Sequence, residues 1–166
     1  MILAFDTHYF DDKAKTVAVQ FEHWADEVPT QVYSEIITGI AAYESGSFYK
    51  RELPCILSLL KQVDLTTINL IIIDGFVVLD DKGALGLGGY LYEALDEQIP
   101  IIGVAKNNFA KIDTLKMPVL RGDSKKPLYI TAKGISLQKA ASHIQDMHGD
   151  YRFPTLLKEV DRLGRE

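Results

Sequence analysis

Asn69 to Asp74 read NLIIID: one leucine and three isoleucines run straight into an aspartate. A strand that faces water on one side alternates apolar and polar residues, whereas one covered on both faces does not. This run therefore predicts a strand buried between two layers. Ile101 to Ala105 (IIGVA) has the same character, and Met1 to Asp6 (MILAFD) is a third short apolar run that again closes on an aspartate.

The flanking segments supply the rest of a sheet. Thr16 to Phe21 (TVAVQF) and Gln31 to Ile37 (QVYSEII) are β-branched or alternating, with short polar segments between them. Together with the first run they predict an antiparallel meander. Ala42 to Phe48, with Gly46 among small and polar residues, reads as a loop. Leu53 to Val63 (LPCILSLLKQV) has helical apolar spacing, with Pro54 placed in its first turn, where a proline is tolerated. The glycine-rich stretch Gly83 to Gly89 leads into a helix through Leu95. Leu128 to Thr131 predicts a further short strand, and Ile135 to His148 and Thr155 to Leu163 predict closing helices. Three strands, a helix, then strand–helix–strand predict an α/β domain with a mixed sheet and helices on its faces. Strands one and four are expected as parallel central neighbours, the order of a ribonuclease H-like sheet. GALGLGG at Gly83 to Gly89 resembles a dinucleotide-binding fingerprint but does not directly follow a strand.

With 166 residues, 47% hydrophobic and 25% charged, the chain is expected to form one domain over residues 1–166 and to act as a monomer. No apolar run reaches the roughly 18 residues of a membrane helix, and no basic leader precedes the first strand, so no membrane association is expected. The single cysteine, Cys55, sits in an apolar stretch and is expected to be a core residue of a cytoplasmic protein. A net charge of −5 argues against a broad phosphate-binding surface. Contacts with nucleic acid would come from local clusters: Lys50-Arg51, Lys111 to Lys116, or Arg121 to Lys126.

Asp6 and Asp74 each end a buried run. On adjacent parallel strands their carboxylates would emerge side by side, and like charges that close repel unless a proton or cation lies between them. Hard divalent cations bind such oxygen donors, and Mg²⁺ uses a few carboxylates with water and phosphate. The simpler alternative is that both acids cap turns, as aspartate often does. Glu52, at the head of the expected first helix, suits the helix dipole in any case. Of the four histidines, His8 lies beside the acids and could touch substrate, with a strand-edge position as its default. His23, His143 and His148 have no ligand spacing and are expected at the surface.

A set of short motifs connects these residues. Asp6-Thr7-His8-Tyr9 resembles the opening motif of the endonuclease V family, an aspartate followed three residues later by tyrosine. Tyr43-Glu44-Ser45-Gly46, then Phe48 and Arg51-Glu52, resemble its tyrosine–x–proline–glycine loop and phenylalanine–arginine–glutamate ending. Asp74-Gly75, Gly86-Leu87 and Pro100 to Lys106 (PIIGVAK) resemble its next motifs, and Tyr151-Arg152-Phe153-Pro154 and Val160-Asp161-Arg162-Leu163 its closing ones. The resemblance implies a ribonuclease H-like fold and a metal-dependent endonuclease, using Mg²⁺ or Mn²⁺, that cleaves DNA or RNA near a deaminated base such as inosine. It implies Asp6, Glu52 and Asp74 as metal ligands, with Asp161 completing the acidic site and Lys106 steadying phosphate. Tyr9, Tyr43, Gly46, Gly75 and Gly86 would touch the nucleic acid, Tyr43 as a wedge and the glycines around an extruded base.

The chain departs from that pattern where substrate is read. Ser45 replaces the loop proline, and Phe76 to Lys82 (FVVLDDK) replaces a glycine followed by histidine–proline–arginine. Gly88-Gly89-Tyr90 replaces a small-residue–histidine step, and Thr131 to Gly134 a serine–proline–glycine–histidine motif. The alternative expectation is a weakly active or inactive nucleic-acid-binding module with a different substrate.

Overall fold

In the computed structural model Leu70–Asp74 forms strand β4, flanked on both sides by parallel strands, β1 (Ile2–Phe10) and β5 (Ile101–Ala105). Residues 1–39 and 48–166 are described, without the side chain of Phe48. On one side β2 (Lys13–Phe21) and β3 (Gln31–Thr38) continue the sheet as an antiparallel meander. On the other, β7 (Leu128–Lys133) runs antiparallel to β5 and β6 (Met117–Val119) forms the edge. The strand order is β3-β2-β1-β4-β5-β7-β6. The expected mixed sheet, meander and parallel central pair are all present.

Successive side chains of a strand point to opposite faces, and two cores follow from that alternation. Leu3, Phe5, Ile71, Ile73 and Ile101 pack on one side with residues of α1 (Phe48–Leu60) and α2 (Leu87–Ala94). Ile2, Ala4, Leu70, Ile72, Ile102 and Val104 pack on the other with α3 (Leu137–Asp146) and α4 (Thr155–Arg165). Among the described residues no helix is long and apolar enough to cross a membrane. Cys55 is a buried core residue, as expected.

Two expectations need correction, and one strand was not expected. The first strand does not stop at Asp6: β1 continues to Phe10 because its outer edge stays paired to β2 through Phe10–Lys13. The first helix begins at Phe48, so Pro54 lies inside it and Glu52 in its second turn. The proline gives up one hydrogen bond, which the apolar face of α1 (Ile56, Leu59, Leu60) offsets by burial. Strand β6, only three residues with a central proline, carries too little pattern to be read.

Close packing at glycines fixes the turn after β4. A Cβ on Gly103, in the middle of β5, would lie 2.5 Å from the Gly75 carbonyl oxygen and 2.8 Å from Thr131 Oγ1. The same hydroxyl accepts a 2.8 Å hydrogen bond from the Val77 amide. The chain leaving β4 thus crosses directly over β5. Gly103→Ala is expected to destabilise the protein by roughly 1–3 kcal/mol, because backbone and not a flexible side chain must move. A urea unfolding curve checks this; an unchanged midpoint would show that the crossing is loose.

Candidate active site

The register of the central strands brings the acids together. β1 and β4 pair Ile2 with Leu70, Leu3 with Ile71 and Ala4 with Ile72. Two residues further along that offset, Asp6 stands opposite Asp74, where β4 ends and β1 continues alone with β2. Lys106 follows β5 at the same end of the sheet. Asp6, His8, Asp74 and Lys106 share the alternation of Ala4, Ile72 and Val104, so they project to the face covered by α4. There α4 buries Leu156, Leu157 and Val160 and places Asp161 beside that stripe.

A cavity at this end is lined by Asp6, Asp74, Lys106, Phe153 and Asp161. A second, smaller one on the α1 side is lined by Asp6, Glu52, Asp74 and Leu87. Asp6 and Asp74 border both, so Glu52 and Asp161 approach the same pair of carboxylates from opposite faces of the sheet. Asp6 and Glu52 are buried, at 9% and 8% exposure. Burial, then the charge of Asp74, raises the Asp6 carboxyl to about 7, against the pull of His8. Burial, then Asp74 and Asp6, pushes Glu52 to about 8. Burial raises Asp74 as well, and Lys106 opposes the rise. Burial also works against a charge on Asp161, but a hydrogen bond with Asp6 and the neighbouring Lys106, Arg165 and His8 outweigh it and lower its pKa. Such a set of crowded, desolvated oxygen donors fits a divalent cation.

His8 is more central than a strand-edge residue. Its Nε2 lies 3.0 Å from Asp6 Oδ2 and 3.3 Å from Asp161 Oδ1. One ligand atom from each of Asp6, His8 and Asp161 falls within 4.8 Å of the others. The ring rests against α4 at Gly164, where any Cβ would collide with His8 Cδ2. Nothing local to His8 reveals that a helix more than 140 residues later in the chain closes over it. His23 is exposed as expected, whereas His143 stacks on Trp24 with ring centroids 4.4 Å apart and His148 bonds Thr155 Oγ1 at 2.8 Å.

The other expected contacts are distributed unevenly. The Tyr9 ring lies under the Arg51 guanidinium, 3.4 Å from its Cζ, and the hydroxyl is buried without a hydrogen-bond partner among the described residues. Burial and the charge of Glu52 hold that phenol far above its ordinary range. Tyr9 therefore sits behind Glu52 and not on an open surface. Gly75 has φ +123°, a conformation suited to glycine, and the place of its absent side chain is open. A Cβ on Gly86 would lie 2.5 Å from the Phe76 carbonyl oxygen, so this glycine lets α2 approach the 76–79 segment. Tyr43 and Gly46 lie outside the described residues.

Arg121 is the clearest correction to the basic clusters. It is 4% exposed, and its guanidinium donates to the carbonyls of Met147, Gly149, Tyr151 and Arg152. Arg152 in turn donates to the carbonyls of Lys106, Lys126 and Pro127. These bonds seat Phe153 under Lys106, whose Nζ is 4.5 Å from the ring centroid. An open groove beside Asp161 carries Tyr151, Lys158 and Arg165, with Tyr151 74% exposed. The acids of FVVLDDK bind backbone: Asp80 accepts from the amides of Lys82 and Ala84, and Asp81 from those of Asp113, Thr114 and Leu115.

The Endonuclease V family model matches residues 1–162. No curated protein matches. Among solved structures, endonuclease V from Ciona intestinalis, in complex with a 24mer DNA containing an inosine followed by a ribo-adenosine, superposes with a TM-score of 0.81 at 18% identity. The match covers 99% of this chain and 84% of that one. The catalytic domain of human endonuclease V gives 0.75 at 22% identity, covering 99% and 80%. The Bacillus subtilis enzyme gives 0.74 at 17%, covering 99% and 78%. The fold is thus ribonuclease H-like.

The raised acids make a stability prediction. Asp6 and Glu52 bind protons more tightly folded than unfolded, so their stabilising effect is full below about 4 and is lost as pH rises through about 7 and 8. Without added metal, Asp6→Asn should be more stable than wild type at pH 8.5, by roughly 1–3 kcal/mol, and show no such gain near pH 4. Thermal unfolding at the two pH values measures the difference; a variant less stable at pH 8.5 would show that Asp6 is not strained.

Proposed function

The chain belongs to the endonuclease V family, and on that premise we propose that it is a metal-dependent endonuclease that hydrolyses a phosphodiester near a deaminated base, inosine or deoxyinosine, in DNA or RNA. The observation that carries this reading is the meeting of Asp6, Asp74, Glu52 and Asp161 from four separate elements at one end of the sheet. A fold needs no such gathering for stability, since desolvated carboxylates of like charge oppose it.

Asp6, Glu52 and Asp74 would hold Mg²⁺ or Mn²⁺, with Asp161 completing the acidic set. When bound, such a cation activates water and stabilises the leaving oxygen. Lys106 adds a positive charge at the cavity wall, near Asp74 and Asp161, where it can hold a phosphate oxygen of the substrate and the charge that develops there. Its ammonium lies over the ring of Phe153, which lines the same cavity. Tyr9 and Arg51 form the wall behind Glu52, and Tyr9 is assigned there a positioning role in place of direct contact with nucleic acid. Gly75 leaves room beside Asp74 for close approach of a base. Tyr43 and Gly46 are assigned to the lesion side on the family pattern alone.

The open groove next to Asp161 suits the strand that leaves the site. Tyr151 offers an exposed ring on a backbone pinned by Arg121, and Lys158 lies 5.8 Å from that ring. An aromatic face beside a cation is a stacking platform for an unpaired base and its phosphate. The weakly active binding module remains the second reading. The altered FVVLDDK segment and the net charge of −5 motivate it, but both acids of that segment are occupied in capping turns.

Purified protein with Mg²⁺ or Mn²⁺ is expected to nick a deoxyinosine or inosine oligonucleotide and leave the adenosine control intact. Asp74→Ala should abolish nicking and Lys106→Ala should slow it by roughly 10²-fold or more. Failure to nick either substrate with either metal would refute the assigned activity. Separately, Tyr151→Ala should weaken binding of the single-stranded product by about 1–3 kcal/mol while Tyr151→Phe binds as wild type. Equal affinities for the two variants, by fluorescence anisotropy, would rule out stacking.

A further inference from the structure

We infer that His8 contributes a nitrogen ligand to the bound divalent cation, making this a mixed imidazole–carboxylate centre that favours Mn²⁺ over Mg²⁺. The inference rests on the metal-dependent reading above and adds to it a residue outside the acidic set. His8 falls at a position the family motif leaves open, between Asp6 and Tyr9.

Three observations carry it. Nε2 of His8 is the ring atom directed at the acids, 3.0 Å from Asp6 Oδ2 and 3.3 Å from Asp161 Oδ1. One atom from each of the three side chains lies within 4.8 Å of the others, a spread that a single ion can span. The ring is also held in that orientation by two elements: it sits on β1 with Asp6, two residues apart and on the same face, and it occupies the space over Gly164 of α4. A surface histidine that merely paired with an acid would not require a helix to give up a side chain for it.

The donor set decides the preference. Carboxylates and water suit Mg²⁺, whereas imidazole raises affinity for first-row transition ions in the usual order of stability. With one nitrogen among oxygen donors, Mn²⁺ gains relative to Mg²⁺. Asp6 and Asp161, both drawn to Nε2 in the absence of an ion, would then be fellow ligands of the ion that Nε2 binds.

The test uses intact protein loaded with one equivalent of Mn²⁺ and pulsed electron paramagnetic resonance, which reads coupling between the ion and a bound ¹⁴N nucleus. Wild type is expected to show imidazole ¹⁴N modulation, and His8→Ala to lose it. His8→Gln preserves polarity at the position, offers no imidazole nitrogen, and should also lose the signal. Equilibrium titration should show Mn²⁺ affinity falling by about 10-fold or more in both variants, with Mg²⁺ affinity changing less. Absence of modulation in wild type, its survival in either variant, or failure of Mn²⁺ to bind at all would overturn the inference. Nicking by a protein without the nitrogen signal would sink His8 as a ligand and leave the nuclease reading standing. A nitrogen signal without nicking would do the reverse.

Discussion

Everything in the candidate site depends on the pairing offset between β1 and β4. Because Ile2 faces Leu70, Asp6 comes level with Asp74 at the point where one strand ends and the other goes on. A slip of one residue would turn Asp6 toward α1 and bury Leu3 and Phe5 among the wrong helices. The apolar residues that hold this offset, Leu3, Ala4, Ile71 and Ile72, are almost wholly buried. Burial of hydrocarbon thus supplies the free energy that keeps two carboxylates close, against a repulsion of about 4 kcal/mol for unit charges 4 Å apart at an effective dielectric constant of 20.

Different parts of this arrangement were legible in the sequence to different degrees. Strands buried on both faces announce themselves by composition, so the sequence shows β4 and β5 closely, and α2 and the meander with them. The start of α1 is hidden because Pro54 looks like a beginning, while the burial of Ile56 and Leu59 lets the helix tolerate it. The meeting of Asp6 with Asp74 follows from two adjacent parallel strands, whereas Glu52 joins them only through the motif order. What stayed invisible was long-range: Arg121 reads as one member of a surface cluster and is a buried cross-brace. His8 reads as an edge residue and sits under a helix.

The departures from the family pattern take on a different meaning once partners are known. Asp80 and Asp81 stand where basic residues are expected, yet they close one turn and hold the Asp113–Leu115 turn against it. Carboxylates accepting several backbone amides are in a stabilising setting, and the amide bonds lower the Asp81 pKa accordingly. Phe76 and Phe109, with centroids 5.8 Å apart, bring the same two segments together. Backbone bonding and an aromatic contact fix the ends of β4 and β5 here, on the side away from α4.

The placement of Asp161 also has a consequence for how the protein is made. The sheet, Asp6, Glu52 and Asp74 all come from earlier in the chain than α4, which docks on β1 and β2 through Leu156, Leu157 and Val160. During synthesis from the N-terminus, the strands can assemble on the ribosome while this wall of the cleft is still being translated. His8 would stay uncovered over that interval, and the cleft would be three-sided. Asp161 is thus the last of the four acids to leave the ribosome, and the site of a nascent nuclease is complete only when α4 docks.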